Sequence, residues 1–191
     1  METKRLFDIV FSVILLGILS PLFLLIAVFV GITSRGPIIF SQLRVGYKGS
    51  HFVIYKFRTL FHNPNESHKG VVHKGDACIT MAGKILRPSH LDELPQLWNI
   101  LQGDMSFVGP RPTRIELDRK ISEHMPDFKK RYAIKPGLTG LAQVSIVFDK
   151  TLESQLWAFQ YDCQYIKDRS FFLDLAILIR TIPVVVTGRG V

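Results

Sequence analysis

Leu6 to Thr33 reads LFDIVFSVILLGILSPLFLLIAVFVGIT, an apolar run with Asp8 as its only charge. A straight helix over this run would measure about 42 Å, against a hydrocarbon thickness of about 30 Å. Ser20-Pro21 falls near its middle. Proline lacks an N–H and crowds the carbonyl four residues back, so a kink is expected there. Each arm would then be about 20 Å long, too short to cross alone. Two geometries satisfy these lengths: a tilted, kinked span, or a re-entrant hairpin entering and leaving by one leaflet. Lys4 and Arg5 precede the run, and Arg35, Arg44, Lys48, Lys56 and Arg58 follow it. Basic residues favour the cytoplasmic side, and here both flanks qualify, which agrees with the hairpin. A cleavable signal peptide fits poorly: the run is too long, and GITSRGP offers no small-residue cleavage site.

Downstream, Ile38 to Thr59 (IIFSQLRVGYKGSHFVIYKFRT) places two β-branched and aromatic stretches around the turn-forming Gly46 to Ser50, predicting a β-hairpin. Phe61 to Asp76 is polar and punctuated by Asn-Pro and Lys-Gly, and reads as a mobile loop. Its His62, His68 and His73 match no ordinary metal-ligand spacing. Gly83 to Gln102 carries Leu91, Leu94, Leu97 and Leu101 at helical spacing, interrupted by prolines, with Gly103 as a stop. Ile115 to Tyr132 predicts a charged amphipathic helix, Lys135-Pro136-Gly137 a turn, and Leu152 to Ile166 another helix. The last apolar stretch, Phe171 to Val186, contains Asp174, Arg180 and Pro183, which suits an interfacial or docking helix better than a span.

The 191 residues suit one domain, or a domain with a membrane anchor, and the formal charge of +8 calls for an anionic partner. Cys78 and Cys163 stand far apart, which fits a reducing compartment and argues against a disulfide framework. The basic residues are scattered rather than striped on one element, so nucleic acid is not the expected partner.

Chemistry concentrates in RPSHLDELPQLWNILQGDMSFVGPRP, Arg87 to Pro112. Asp92 and Glu93 are adjacent, so on a helix their side chains diverge by about 100°. One carboxylate could attack phosphorus while the other holds a metal ion, since magnesium takes one or two carboxylates together with substrate phosphates. The competing reading is structural: Ser89-His90-Leu91-Asp92 has capping-box spacing, with Glu93 left on a solvated face. Pro95 sits awkwardly in such a helix, and a bend at Leu94-Pro95 would put both carboxylates at a helix entrance. In Gly109-Pro110-Arg111-Pro112, Pro110 and Pro112 stiffen the backbone around Arg111, which suits bidentate phosphate recognition, although a plain turn with a solvated arginine also fits. Lys56, Arg58 and Arg87 are further candidates for diphosphate contact.

Taken in order, these segments resemble the small monotopic phosphoglycosyl transferases, bacterial sugar transferases that begin glycan assembly on undecaprenyl phosphate. The resemblance runs through Ser20-Pro21, YKFRT (Tyr55 to Thr59), LDELPQLWNIL (Leu91 to Leu101), GDMSFVGPRP (Gly103 to Pro112), KPGLTGLAQV (Lys135 to Val144) and the closing Tyr165 to Leu175. It implies an α+β fold, mostly α: residues 1–34 as a re-entrant membrane helix broken at Ser20-Pro21, and residues 35–191 as a catalytic domain on the cytoplasmic face of the bacterial inner membrane, carrying interfacial amphipathic helices. It implies Asp92 as nucleophile, Glu93 as the magnesium-binding residue, and Arg87 and Arg111 in contact with the diphosphate or nucleotide. The implied donor is a UDP-sugar, the acceptor polyprenyl phosphate, and the by-product UMP. Leu141 departs from the family's usual tryptophan, Ser145-Ile146-Val147 from its Asn-Gly-Arg, and Leu60 to Pro64 lacks its acidic residues. These loops are expected to touch the sugar or cover the site, so the resemblance leaves the identity of the sugar open. Two other classes stay open: a lipid-directed glycosyltransferase, which shares the partners but would release UDP, and a membrane-anchored basic adaptor that recruits acidic partners and needs neither carboxylate.

Overall fold

In the computed structural model, which describes residues 2–61, 76–146 and 152–187, the apolar run forms two helices. α1 (Glu2–Ile18) and α2 (Ser20–Thr33) meet at 63°. The bend has the cause expected from the sequence. Pro21 cannot donate to the carbonyl of Gly17, and the Ser20 hydroxyl donates to it instead, at 2.8 Å. Among the described residues no single helix is long and apolar enough to cross a membrane, and this bent pair reaches that length only together. Val13, Leu24, Leu25, Val28 and Ile32 are exposed along it.

The hairpin is present: β1 (Ile39–Val45) and β2 (His51–Phe57) pair antiparallel from Ile39↔Phe57 to Val45↔His51. The connection turns through a single 3-10 turn in which Lys48 and Gly49 both take positive φ. Next, α3 (Met81–Leu86) is capped by Thr80, whose hydroxyl accepts from Gly83 N. The predicted helix from Gly83 to Gln102 is in fact three pieces: α3, a 3-10 turn at Leu91–Glu93, and α4 (Gln96–Gln102). Pro88 and Pro95 divide them. Gly103, at φ 96, ends α4 as expected.

β3 (Ser106–Val108), β4 (Thr113–Arg114) and β5 (Gly137–Thr139) complete the strands. β4 extends the hairpin sheet beside Arg44 and Val45, and β3 pairs parallel with β5. The long helix expected from Ile115 to Tyr132 stops early. α5 (Ile115–His124) gives way at Met125 to a 3-10 helix, Pro126–Ala133, because Pro126 restricts the residue before it to extended backbone. α6 (Leu141–Ser145), α7 (Leu152–Asp168) and α8 (Phe171–Thr187) follow. The chain is thus mostly helical with a small sheet. His62, His68 and His73 lie outside the described residues.

The core forms where α1 lies across α4 and β3. Leu97, Ile100, Met105 and Phe107 are buried there with Phe7, Phe11 and Leu15 against them, and the Phe11 and Phe107 rings meet edge to face at 5.1 Å. Each such buried side chain contributes about 1.5–3 kcal/mol. Lys4, Arg5 and Asp8 of α1 face the same way. Asp8, 3% exposed, accepts from Phe107 N at 3.1 Å and from the Ser106 hydroxyl at 3.2 Å. Arg5 donates to the carbonyls of Ile100 and Leu101, capping the C-terminus of α4. Lys4 pairs with Asp174 on α8 at 2.5 Å and donates to Val108 O. These two cations, read in the sequence as flanking charges, therefore also hold α1 to the rest of the chain. On α8, Asp174 and Ile177 are buried while Phe172, Ile179, Ile182 and Val186 are exposed, so the helix docks by one face and leaves an apolar face open.

Candidate active site

Asp92 and Glu93 sit in the 3-10 turn between α3 and α4, both under a tenth exposed. His90 opens this turn in left-handed backbone, φ 54, a strained conformation for a residue with a Cβ. The capping-box reading does not hold. Ser89 donates back to the carbonyls of Ile85 and Leu86, closing the end of α3 rather than starting a helix at Asp92.

α4 fixes the turn against the sheet. Asn99, fully buried, donates to Val53 O at 2.7 Å and accepts from Tyr55 N at 3.1 Å. One side-chain amide thereby satisfies a donor and an acceptor on the open edge of β2 and sets the helix register. That register brings Lys56 to the dyad.

Glu93 is the held member of the pair. Its Oε1 lies 2.5 Å from both Lys56 Nζ and Arg111 Nη2, and its Oε2 accepts from Arg111 Nη1 at 3.2 Å. Burial alone would raise its carboxyl, but Arg111 and Lys56 outweigh that and hold it well below the usual carboxylate range. Asp92 is the unheld member. Among the described residues no donor reaches its carboxylate. Burial pushes its carboxyl up to about 6, opposed by Lys56, reinforced by the charge of Glu93, and opposed again by Arg87 and Arg111. The two adjacent carboxylates thus have opposite settings, which is the pattern of a divided acid–base or nucleophile site.

The remaining predicted residues divide. Pro110 and Pro112 are buried and keep Arg111 on Glu93. Arg87 is half-buried and acts on Asp92 by charge. Arg58 is not brought to the dyad. β2 ends at Phe57, and Arg58 turns to donate to the carbonyl and hydroxyl of Ser34 at the end of α2. Leu141, a departure from the family pattern, is buried in the core, so its role is packing. His62, Asn63, Pro64 and Val147 lie outside the described residues.

The Gly-Pro-Arg-Pro turn is clamped from three sides. Pro110 O accepts from Gly137 N at 2.9 Å, Arg111 O from Arg131 Nη2 at 2.8 Å, and Pro112 O from Arg44 Nη1 at 3.1 Å. A Cβ on Gly137 would lie 2.1 Å from Gly109 N, so the two backbones approach only because glycine is there. The sequence marked Arg44 only as a flanking charge and did not single out Arg131, which stands in the basic run Lys129-Lys130-Arg131.

Among the described residues no group of three or more carboxylate, histidine or cysteine ligands exists. The dyad nevertheless suits a hard cation. Glu93 Oε2 keeps a lone pair and the Asp92 carboxylate is unbonded, leaving oxygen donors of the kind magnesium takes beside substrate phosphates.

Residues 1–188 match the bacterial sugar transferase family, to which the chain belongs. It is 40% identical over 186 residues to the UDP-glucose:undecaprenyl-phosphate glucose-1-phosphate transferase of Caulobacter vibrioides, covering 96% of this chain and 70% of that protein. Identity is 37% over 187 residues to the UDP-N-acetylgalactosamine-undecaprenyl-phosphate N-acetylgalactosaminephosphotransferase of Aeromonas hydrophila, with 98% of this chain covered. The chain spans only 44% of that relative's length. The exopolysaccharide production protein ExoY of Rhizobium meliloti is 35% identical over 202 residues, covering 98% of this chain and 87% of ExoY.

Proposed function

We propose that this chain transfers a phospho-sugar from a UDP-sugar to a polyprenyl phosphate such as undecaprenyl phosphate, releasing UMP, with Asp92 as nucleophile. The observation that carries the reading is the split dyad. Glu93 is pinned by two cations, while Asp92 beside it is buried, unbonded and still mostly ionised at neutral pH.

In the first step an Asp92 carboxylate oxygen attacks the sugar-bearing phosphorus. The bond from that phosphorus to the bridging oxygen breaks, and UMP leaves with the electron pair. Asp92 is left as an acyl phosphate carrying the sugar. In the second step an oxygen of polyprenyl phosphate attacks the same phosphorus, the Asp92 carboxylate departs, and polyprenyl diphospho-sugar forms. Arg111, Lys56 and Arg87 place positive charge around the reacting phosphates, which otherwise repel an anionic nucleophile. Burial strips water from Asp92 and limits hydrolysis of the acyl phosphate. Magnesium, held by Glu93 with the substrate phosphates, would neutralise charge on the diphosphate.

Residues 1–34 are read as the membrane-embedded unit, a re-entrant hairpin broken at Ser20-Pro21, and residues 35–191 as the catalytic unit on the cytoplasmic face. The 63° bend and the exposed apolar side chains of α2 support this placement. The exposed face of α8 adds a further apolar surface to meet lipid.

The test is nucleotide release by detergent-solubilised protein with undecaprenyl phosphate, magnesium and a panel of UDP-sugars, alongside Asp92→Asn. UMP release from one or a few donors, abolished in the variant, is the expected result. UDP release, or UMP release that survives Asp92→Asn, refutes the mechanism.

A further inference from the structure

Arg111 must present its guanidinium to both oxygens of Glu93, yet its side chain is 39% exposed. Its geometry therefore depends on where its backbone is fixed. The carbonyl of Arg111 is held by Arg131 alone among the side chains described. Arg131 is anchored on three sides. Its Nη1 donates to the Thr113 hydroxyl at 2.7 Å, its Nη2 pairs with Asp162 on α7 at 2.8 Å, and its guanidinium lies 4.6 Å from the centre of the Phe128 ring. Arg131 and Asp162 are both almost completely buried.

A buried ion pair is often no better for stability than apolar residues of the same volume. Its value here lies in direction. A planar guanidinium presents its N–H groups at fixed angles, and the Asp162 carboxylate draws Nη2, the nitrogen that also donates to Arg111 O, by charge at 2.8 Å. Those groups meet Thr113 and Arg111, the two residues on either side of Pro112.

We propose that Arg131 and Asp162 are positioning residues that set the catalytic centre from outside it. Asp162 orients Arg131, Arg131 fixes the Arg111 carbonyl, and Arg111 thereby holds Glu93 beside Asp92. The device touches neither substrate nor the reacting atoms. It rests on the reading of Arg111 as part of the active centre. It predicts that α7 affects turnover although its Asp162 makes no contact with the dyad.

The test is a double-mutant cycle on UMP release, using the UDP-sugar picked out by the donor panel, with kcat, KM and thermal midpoint measured for each variant. Arg131→Lys keeps the charge but cannot span Asp162, Thr113 and the Arg111 carbonyl together. It is expected to lower kcat about tenfold or more, since misplacement by about 1 Å can cost about a hundredfold, with KM for the donor changed far less. In an Arg111→Ala background the same substitution is expected to add almost nothing, because its effect runs through Arg111. Asp162→Asn is expected to show a smaller loss of the same kind. Losses that multiply in the double variant, or an unchanged kcat in Arg131→Lys while Arg111→Ala is impaired, overturn the positioning role alone. An unimpaired Arg111→Ala overturns the underlying reading of Arg111 instead. Should Arg131→Lys fail to fold, Thr113→Val, which removes one of its hydrogen bonds, runs through the same cycle with the same criteria.

Discussion

Replacing Asp92 by asparagine should make the protein more stable while destroying its activity. Burial holds the Asp92 carboxyl up at about 6, against an ordinary value of 3.8. As pH rises, the unfolded chain therefore releases this proton before the folded one does. The charged carboxylate costs the fold stability, with the cost complete above about pH 6 and absent below about pH 4. Its size at neutral pH is about 3 kcal/mol. Asparagine keeps the shape and removes the charge, so the gain should approach that figure. For a chain of this length it corresponds to roughly 6–12 °C in thermal midpoint. Thermal unfolding in detergent, followed by tryptophan fluorescence, measures it at a series of pH values. The expected pattern is a large gain at pH 7.5 that disappears near pH 4. An Asp92→Asn midpoint equal to or below the parent at pH 7.5 would refute the reasoning, as would a gain independent of pH.

Three further predictions follow from the same geometry. Covalent labelling of Asp92 in a single turnover should slow about tenfold between pH 7 and pH 5 as its carboxyl protonates, and a flat profile would mean that another group attacks. Glu93→Gln leaves Lys56 and Arg111 facing each other without their counter-ion; it should cost about 2 kcal/mol, less than the ~3–5 kcal/mol of a fully buried pair because Arg111 is partly exposed, and chemical denaturation at pH 7 measures it. Asn99→Ala strips partners from Val53 O and Tyr55 N and should cost about 2–4 kcal/mol together with a fall in kcat, whereas a loss under about 1 kcal/mol would show that water replaces the amide.

The parts of this fold that were legible in the sequence are those with local causes. Pro21 bends the apolar run because the Gly17 carbonyl loses its donor, and Gly103 ends α4 because it alone tolerates that φ. The hairpin was legible from two β-rich stretches around Gly46 to Ser50. Pro126 was an available signal that periodicity overran, so α5 was read too long. β3 and β5 gave no signal, since three residues are too few to display alternation, and their pairing depends on the close approach of Gly109 and Gly137. At the site, the dyad, Lys56 and Arg111 were singled out by residue type and order, and the fold brings Lys56 and Arg111 together on Glu93. Arg58 was misplaced because the end of β2 decides where it points. Arg131 and Asp162 lie far apart in sequence and meet only through tertiary packing, so no window of sequence could join them.

The inward charges of α1 have a practical consequence. Lys4, Arg5 and Asp8 belong to the same polar fabric as α4, β3 and α8, and cutting the chain at residue 34 would strip the end of α4 of its cap, leave Phe107 N without its acceptor and open the Phe7–Phe11 side of the core. The apolar segment is thus not a tether that can be trimmed to leave a soluble enzyme. Solubility is better raised by recolouring the outward face of the bent pair, at positions such as Val13, Leu24, Leu25, Val28 and Ile32, while its inward face is left untouched.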